Sequence, residues 1–285
     1  MSSSIDIYLI NLDRRSDRLE MISVQLKNLN IPFIRFSAID GADKGAAIAS
    51  VNPHRFIASQ KRYCTRAELA CAASHIAVWK AFLKSDAEYA LILEDDVEID
   101  QTLTEILRNF ERFRKYDFLN LSSNEPFRLD QDQLQKTLEG RQEVERPSLL
   151  HYKKRKQWKK LEWRRRWRIF ALNPILQIGI VCECDPAPAL GSGYIVSRKA
   201  AQNFIGAAQN ISFPIDLVWR HSSGRLRQAF LARPIIKQTN RDTDISGRFN
   251  QDRVHFGYRL LRPFLKNRRW RRRWDVVRLY GLLKQ

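Results

Sequence analysis

Hydrophobic and polar positions alternate along this chain in stretches of two kinds. Ile5 to Leu9 is a β-rich apolar run and predicts a first buried strand. Leu19, Ile22, Leu26 and Leu29 then recur at helical spacing, which predicts a helix over about Ser16 to Leu29, ended by Pro32. Phe33 to Phe36 reads as a second strand, and Gly41 to Arg62 shows no clear period and reads as loop. Thr65-Arg66-Ala67-Glu68 has the spacing of a capping box and opens a helix to about Leu83. Tyr89 to Leu93 is an apolar strand, followed by a helix over about Thr102 to Phe113 and a strand near Phe118 to Leu121. Later come Leu176 to Cys182, the strand Gly191 to Ser197, a helix over Lys199 to Ala208, a short helix opened by Phe213-Pro214-Ile215-Asp216, and a strand over Ala229 to Arg233. This alternation predicts an α/β fold, a mostly parallel sheet flanked by helices.

The 285 residues, 44% hydrophobic and 28% charged, suit a globular chain rather than a disordered one or a membrane bundle. No fixed-period repeat is visible, which argues against solenoids and propellers. The longest uncharged stretch near the middle, Ile169 to Cys182, falls short of the ~20 residues that span a bilayer. No basic and apolar leader pattern stands at the start, so a cytoplasmic protein with its four cysteines reduced is expected.

Charge changes this picture. The formal net charge is +19, and two segments hold nearly all of it: 151–168 and 259–285 each carry a net +9. Both interleave the charge with tryptophan: Trp158, Trp163 and Trp167 in the first, Trp270 and Trp274 in the second. If the first is helical, Trp163, Trp167 and Phe170 form one stripe; Trp270, Trp274 and Val277 do so in the second. Indole rings favour the headgroup level and clustered Lys/Arg favour an anionic leaflet. The expectation is a body over 1–240 with a basic insertion around 151–168, and a basic amphipathic membrane-associating segment over 241–285. A solvated basic loop with buried tryptophans is the plainer alternative; nucleic acid is the less favoured partner, because a nucleic-acid reader spreads charge over its folded face.

Four strings could carry chemistry. Leu91-Ile92-Leu93-Glu94-Asp95-Asp96 puts three carboxylates at the end of a buried strand, where a divalent cation such as Mn²⁺ or Mg²⁺ would relieve their repulsion; a solvated acidic turn is the bland equivalent. Arg14, Arg15 and Arg18 follow the first strand and begin a helix, an arrangement suited to phosphate or to simple charge pairing. Gly191-Ser192-Gly193-Tyr194 lets backbone approach a ligand, a weak signal by itself. Asp216 is a helix-dipole partner or a general base. His75 shares a helix face with Cys71 and Trp79, which suits core packing or a ligand contact. Cys182 and Cys184 have no partners at zinc spacing, and no Walker A loop, G-x-S-x-G elbow or H-E-x-x-H is present.

Taken in order, these strings resemble glycosyltransferase family 25, the group that includes bacterial lipooligosaccharide galactosyl- and glucosyltransferases and the collagen galactosyltransferases. The matching blocks are Ile7 to Arg15 with Arg18, Thr65 to His75 with Trp79, Leu91 to Asp96, and Gly191 to Ser197 followed by Pro214-Ile215-Asp216. Ala67 and Ala70 stand where such proteins often carry glycine, a change a helix tolerates. The resemblance implies a GT-A-like nucleotide-sugar-binding fold, a UDP-sugar donor, a divalent metal and inversion at the anomeric carbon. It implies that Glu94, Asp95 and Asp96 form the metal site, with Asp96 touching the metal directly and Asp95 and Glu94 holding the ribose or metal-bound water. Asn11, Arg14, Arg18, Ser74 and His75 would line the donor pocket, and Gly191, Ser192, Gly193 and Tyr194 would border the sugar. Asp216 would be the base. The expected activity is hexose transfer to a lipid-linked oligosaccharide of the lipopolysaccharide core, on the cytoplasmic face of the inner membrane. Glycosylation of a protein and a non-catalytic cationic scaffold are the other readings.

Overall fold

The computed structural model describes residues 5–125, 168–239, 275, 276 and 278–280. Its centre is an eight-stranded sheet in the order β2-β1-β3-β8-β5-β9-β7-β6. The strands are β1 (Ile5–Asn11), β2 (Ile34–Ser37), β3 (Tyr89–Glu94), β5 (Phe118–Asn120), β6 (Arg168–Ile175), β7 (Gly179–Asp185), β8 (Gly193–Ser197) and β9 (Gln228–Leu231). A two-stranded antiparallel ribbon pairs β4 (Val97–Ile99) with β10 (Ile236–Gln238). The helices are α1 (Ser16–Asn28), α2 (Pro53–Gln60), α3 (Arg66–Lys84), α4 (Thr102–Arg108), α5 (Arg198–Ala207) and α6 (Val218–His221), the last entered through a 3₁₀ turn at Ile215–Leu217.

The expected α/β architecture is present, but the sheet is mixed rather than mostly parallel. β2, β1 and β3 run parallel, as do β5 and β9, while β8 is antiparallel to both its neighbours and β7 to both of its own. The hairpin β6–β7 explains part of this. The turn at Leu176 and Gln177 reverses the chain, Gln177 taking a φ of 67°, so 168–185 form two strands where one was expected. Phe170 consequently lies in a strand and not on a helical tryptophan stripe.

Both faces of the sheet are covered, which is why β3 reads as an unbroken apolar run. Leu91 and Leu93 face α1 and α4 in one cluster, with Ile22, Leu26, Leu103 and Ile106. Ala90 and Ile92 face the opposite way, toward Trp79, Phe82 and Phe204 from α3 and α5. α3 begins as expected: the Thr65 hydroxyl accepts from the Glu68 amide, and the Glu68 carboxylate accepts from the Thr65 amide. α2 replaces part of the expected loop. Its signal is Asn52-Pro53, in which the Asn52 side chain accepts from the Arg55 amide and Pro53 supplies a preset first turn.

The described C-terminal residues return to the sheet edge. Tyr280 stacks on Phe170 with ring centroids 3.8 Å apart and donates a 2.7 Å hydrogen bond to Glu183 of β7. Arg227 grips both oxygens of the same buried carboxylate at 2.9 Å, and Asp275 accepts from the Gly224 amide. Arg227→Ala strands the Glu183 charge. A fully buried pair broken this way costs about 3–5 kcal/mol; with the Arg227 side chain 39% exposed and Tyr280 still donating to Glu183, we expect about 2–3 kcal/mol, read as a lower urea midpoint at unchanged slope. The tryptophan-bearing basic runs, with Trp158, Trp163, Trp167, Trp270 and Trp274, lie outside the described residues. No helix among the described residues is long and apolar enough to cross a membrane.

Candidate active site

β1 and β3 are parallel neighbours with Ile10 beside Glu94, so their carboxyl ends open at the same edge of the sheet. That edge is where open α/β sheets hold ligands. A cleft of about 380 Å³ lies there. Its floor carries Glu94, Asp95 and Asp96; Arg14 and Arg18 approach from the start of α1; Ser74 and His75 approach from α3; the loop Ala38–Ala42 forms a wall.

That wall is held from α3. Ser74 Oγ accepts from the Ile39 amide at 2.8 Å and donates to the Ala70 carbonyl. Arg66 donates to the carbonyls of Gly41, Asp43 and Lys44. Gly41 packs so closely on the α3 N-terminus that a Cβ there would meet Ala67 Cα at 2.8 Å. Arg14 is half exposed and bonds Asp40 at 2.7 Å.

The three carboxylates have different company. Asp95 accepts from Asn11 Nδ2 at 2.7 Å on one oxygen and from Arg18 Nη1 at 3.3 Å on the other. Asn11 is itself fixed by Arg35, whose Nε and Nη2 donate to its Oδ1. Burial raises the Asp95 carboxyl above its ordinary range, against the Asn11 and Arg18 contacts that lower it. Asp96 accepts from Gln238 Nε2 at 2.9 Å on Oδ2, and its backbone carbonyl takes the Thr239 amide. Its Oδ1 is buried without a hydrogen-bond partner among the described residues. Glu94 faces His75 Nε2 across 3.2 Å, and its carboxyl is pushed upward by burial and by the charges of Asp96 and Asp216, with His75 opposing. Burial likewise pushes the Cys71 thiol up, reinforced by Glu94 and Asp216.

A buried carboxylate oxygen without a donor suits a hard cation. Asp96 therefore fits a divalent metal, and Asp95, each of whose oxygens accepts a single hydrogen bond, and Glu94, which lines the same cleft, keep lone pairs that could join it. A different trio, Cys71, His75 and Glu94, brings its ligand atoms within 4.8 Å of one another.

Among the sequence-derived candidates, Arg14, Arg18, Ser74, His75, Glu94, Asp95 and Asp96 share this cleft. Asn11 is buried directly behind Asp95. The glycine-containing block does not line it. Gly193 is needed for packing, since a Cβ there would meet Ile236 Cδ1 at 2.4 Å. Ser192 is fully buried and its carbonyl accepts from the Glu94 amide. Tyr194 is buried and bonded by Trp79 and His75. Gly191 sits against Trp219 and Asp216. Asp216 lies outside the cleft lining, near enough for its charge to act on Glu94 and Cys71. Gln238, Arg35 and Asp40 were not foreseen; each meets the site through a contact spanning at least 24 residues of sequence, and no local pattern marks it.

The profile of glycosyltransferase family 25 (LPS biosynthesis protein) matches residues 4–172. The chain is 28% identical over 99 residues to a glycosyltransferase 25 family member of Drosophila pseudoobscura pseudoobscura, covering 33% of this chain and 16% of that one. It is 27% identical over 122 residues to a glycosyltransferase 25 family member of Drosophila melanogaster, covering 40% and 20%. It is 31% identical over 100 residues to procollagen galactosyltransferase 2 of Homo sapiens, covering 33% and 16%. The matched region thus spans a fifth or less of each of these three relatives. With the profile covering more than half of the chain, and the carboxylate strand end and capped helix of that profile meeting at one cleft, this protein belongs to glycosyltransferase family 25.

Proposed function

We propose that the protein is an inverting, metal-dependent, GT-A-like transferase that moves a hexose, galactose or glucose, from a UDP-sugar to a lipooligosaccharide or lipopolysaccharide core glycan. The observation that carries this reading is the cleft at the β1/β3 carboxyl ends, with a buried, donor-less oxygen on Asp96 beside Glu94. Asp96, with Glu94 and Asp95, would hold Mn²⁺ or Mg²⁺, which when bound neutralises charge on the departing diphosphate. Arg18 holds Asp95 in place, and its guanidinium and that of Arg14 line the cleft as groups that could also meet phosphate oxygens.

The transfer is a single displacement. The acceptor hydroxyl oxygen forms a bond to the anomeric carbon as the bond to the UDP oxygen breaks on the opposite side. Asp216 takes the hydroxyl proton, and UDP leaves with the electron pair. A UDP-release screen over several UDP-sugars, with and without core-glycan acceptors, tests this. Acceptor-dependent release from UDP-galactose or UDP-glucose is expected; no release from any UDP-sugar contradicts it.

The proposal includes docking on the anionic cytoplasmic face of the inner membrane through the basic tryptophan segments, beside a lipid-linked acceptor. Removing Arg268, Arg269, Arg271, Arg272 and Arg273 together costs nominally roughly 5 kcal/mol of surface attraction at about 1 kcal/mol per charge, before salt screening. Half of that is about 60-fold in partitioning. Co-sedimentation with vesicles should show salt-sensitive binding that needs anionic lipid and that this variant loses. Equal binding to neutral vesicles would contradict an electrostatic anchor.

A further inference from the structure

Behind the cleft, three buried side chains run in a line toward Glu94. Trp79 Nε1 lies 2.9 Å from Tyr194 Oη, Tyr194 Oη lies 2.9 Å from His75 Nδ1, and His75 Nε2 lies 3.2 Å from Glu94 Oε1. Trp79, Tyr194 and His75 are 1%, 1% and 3% exposed. We propose that Trp79 and Tyr194 are positioning residues, which fix the His75 ring proton on Nε2 and thereby hold Glu94 at the cleft floor.

Donor and acceptor accounting carries this. Indole N–H only donates, so Tyr194 Oη accepts from Trp79. The tyrosine keeps one proton of its own, and its raised pKa, caused first by burial, keeps that proton in place. Among the described residues the remaining group within hydrogen-bond distance of Oη is His75 Nδ1. Tyr194 therefore donates to Nδ1, Nδ1 accepts, and the ring proton sits on Nε2, where it donates to Glu94 Oε1. With the opposite tautomer, Nδ1–H and Trp79 would both donate to Oη, and the buried tyrosine proton would lose its acceptor, an arrangement native interiors avoid. All three protons thus point toward the carboxylate. Glu94 Oε1 is thus engaged by His75, while Glu94 as a residue lines the cleft.

Two consequences follow. Tyr194 acts on the site through His75 rather than by bordering the sugar. The proton on Nε2 also removes that nitrogen as a metal ligand, so in this arrangement Cys71, His75 and Glu94 are not a cation set, and the metal assignment stays with the carboxylates that end β3.

Nitrogen-15 NMR of the histidine rings tests the tautomer without substrate. Of the five histidines, His75 is assigned by its absence from the His75→Gln spectrum. Wild type should show His75 as a single Nε2–H tautomer with a hydrogen-bonded Nδ1. Tyr194→Phe keeps the ring that packs on Phe118 and Trp219 but removes the hydroxyl, so the Nδ1 signal should shift and the two tautomers should mix. The kinetic part rests on the proposed transferase function. There Tyr194→Phe should lower kcat by about 10–100-fold, as loss of an outer partner does at metal sites, with the KM for UDP-sugar little changed. A wild-type ring protonated on Nδ1 overturns the inference, as do His75 signals unmoved by Tyr194→Phe or an unchanged kcat. Wild type that turns over no UDP-sugar at all counts against the proposed function instead, since the tautomer is read independently of turnover.

Discussion

Asp96→Ala should lower UDP-sugar turnover by about 10³-fold or more while moving the melting temperature by no more than a few degrees. The two halves of this expectation have separate physical origins. Stabilising charge on a leaving diphosphate is worth several kcal/mol, and each 1.36 kcal/mol is tenfold in rate. The folded state loses much less. The Asp96 side chain makes one hydrogen bond, to Gln238, worth about 1 kcal/mol, and a long 4.0 Å ion pair with Arg18, which keeps Asp95 as its nearer partner. Its other oxygen is already buried without a partner, so removing it relieves a cost. The backbone carbonyl that anchors Thr239 is untouched by the substitution. Initial rates of UDP release, paired with thermal melts, check the split. A large fall in melting temperature would mean that Asp96 holds the β3–β4 turn rather than the chemistry, and full activity would remove it from the metal site.

Asp216→Asn should lower kcat by about 10²–10⁴-fold, the range typical of a lost general base, with donor affinity little changed. Asp216 sits on the 3₁₀ turn after Pro214, against Gly191 and apart from the lining of the donor cleft. Its charge acts on Glu94, so it lies near the carboxylate cluster while staying outside the cleft lining, a place compatible with a base. Asn keeps the shape and cannot take the proton. Single-turnover rates with acceptor, set beside UDP affinity by calorimetry, separate the cases. If UDP affinity collapses while the chemical step persists, Asp216 is a donor contact and the base lies elsewhere.

The elements legible in the sequence were those specified locally. The α3 start could be read because a capping box lies within four residues, and β3 because burial on both faces demands an unbroken apolar run. What escaped was set by partners distant in sequence. β4 and β10 are three residues each and exist only through pairing with each other, across more than a hundred residues. The antiparallel insertion of β8 between β3 and β5 is likewise a matter of topology, which strand patterns do not carry. β6 was obscured because its start adjoins a basic tryptophan-rich run that, taken alone, is compatible with a helix.

The site divides the same way. Glu94, Asp95 and Asp96 stood out because three charges ending an apolar strand are electrostatically unusual. Nothing local distinguishes their roles. Asp95 accepts on both oxygens because Asn11 and Arg18 reach it from 84 and 77 residues away, whereas Asp96 keeps an oxygen free of donors because Gln238 supplies a single bond from 142 residues away. Gly193 shows the converse. A glycine in a motif invites a ligand reading, but here the space a Cβ would take is filled by Ile236. Tyr194 belongs to the same block, and its hydroxyl turns inward to Trp79 and His75.

Calorimetric titration of UDP into the wild-type protein, with Mn²⁺ and then with excess EDTA, tests the donor cleft most directly. UDP should bind with Mn²⁺ present, and the affinity should fall sharply both on chelation and in Asp96→Ala. UDP that fails to bind with Mn²⁺ present, or that binds equally well in EDTA and to Asp96→Ala, would contradict a metal-assisted donor site at the end of β3.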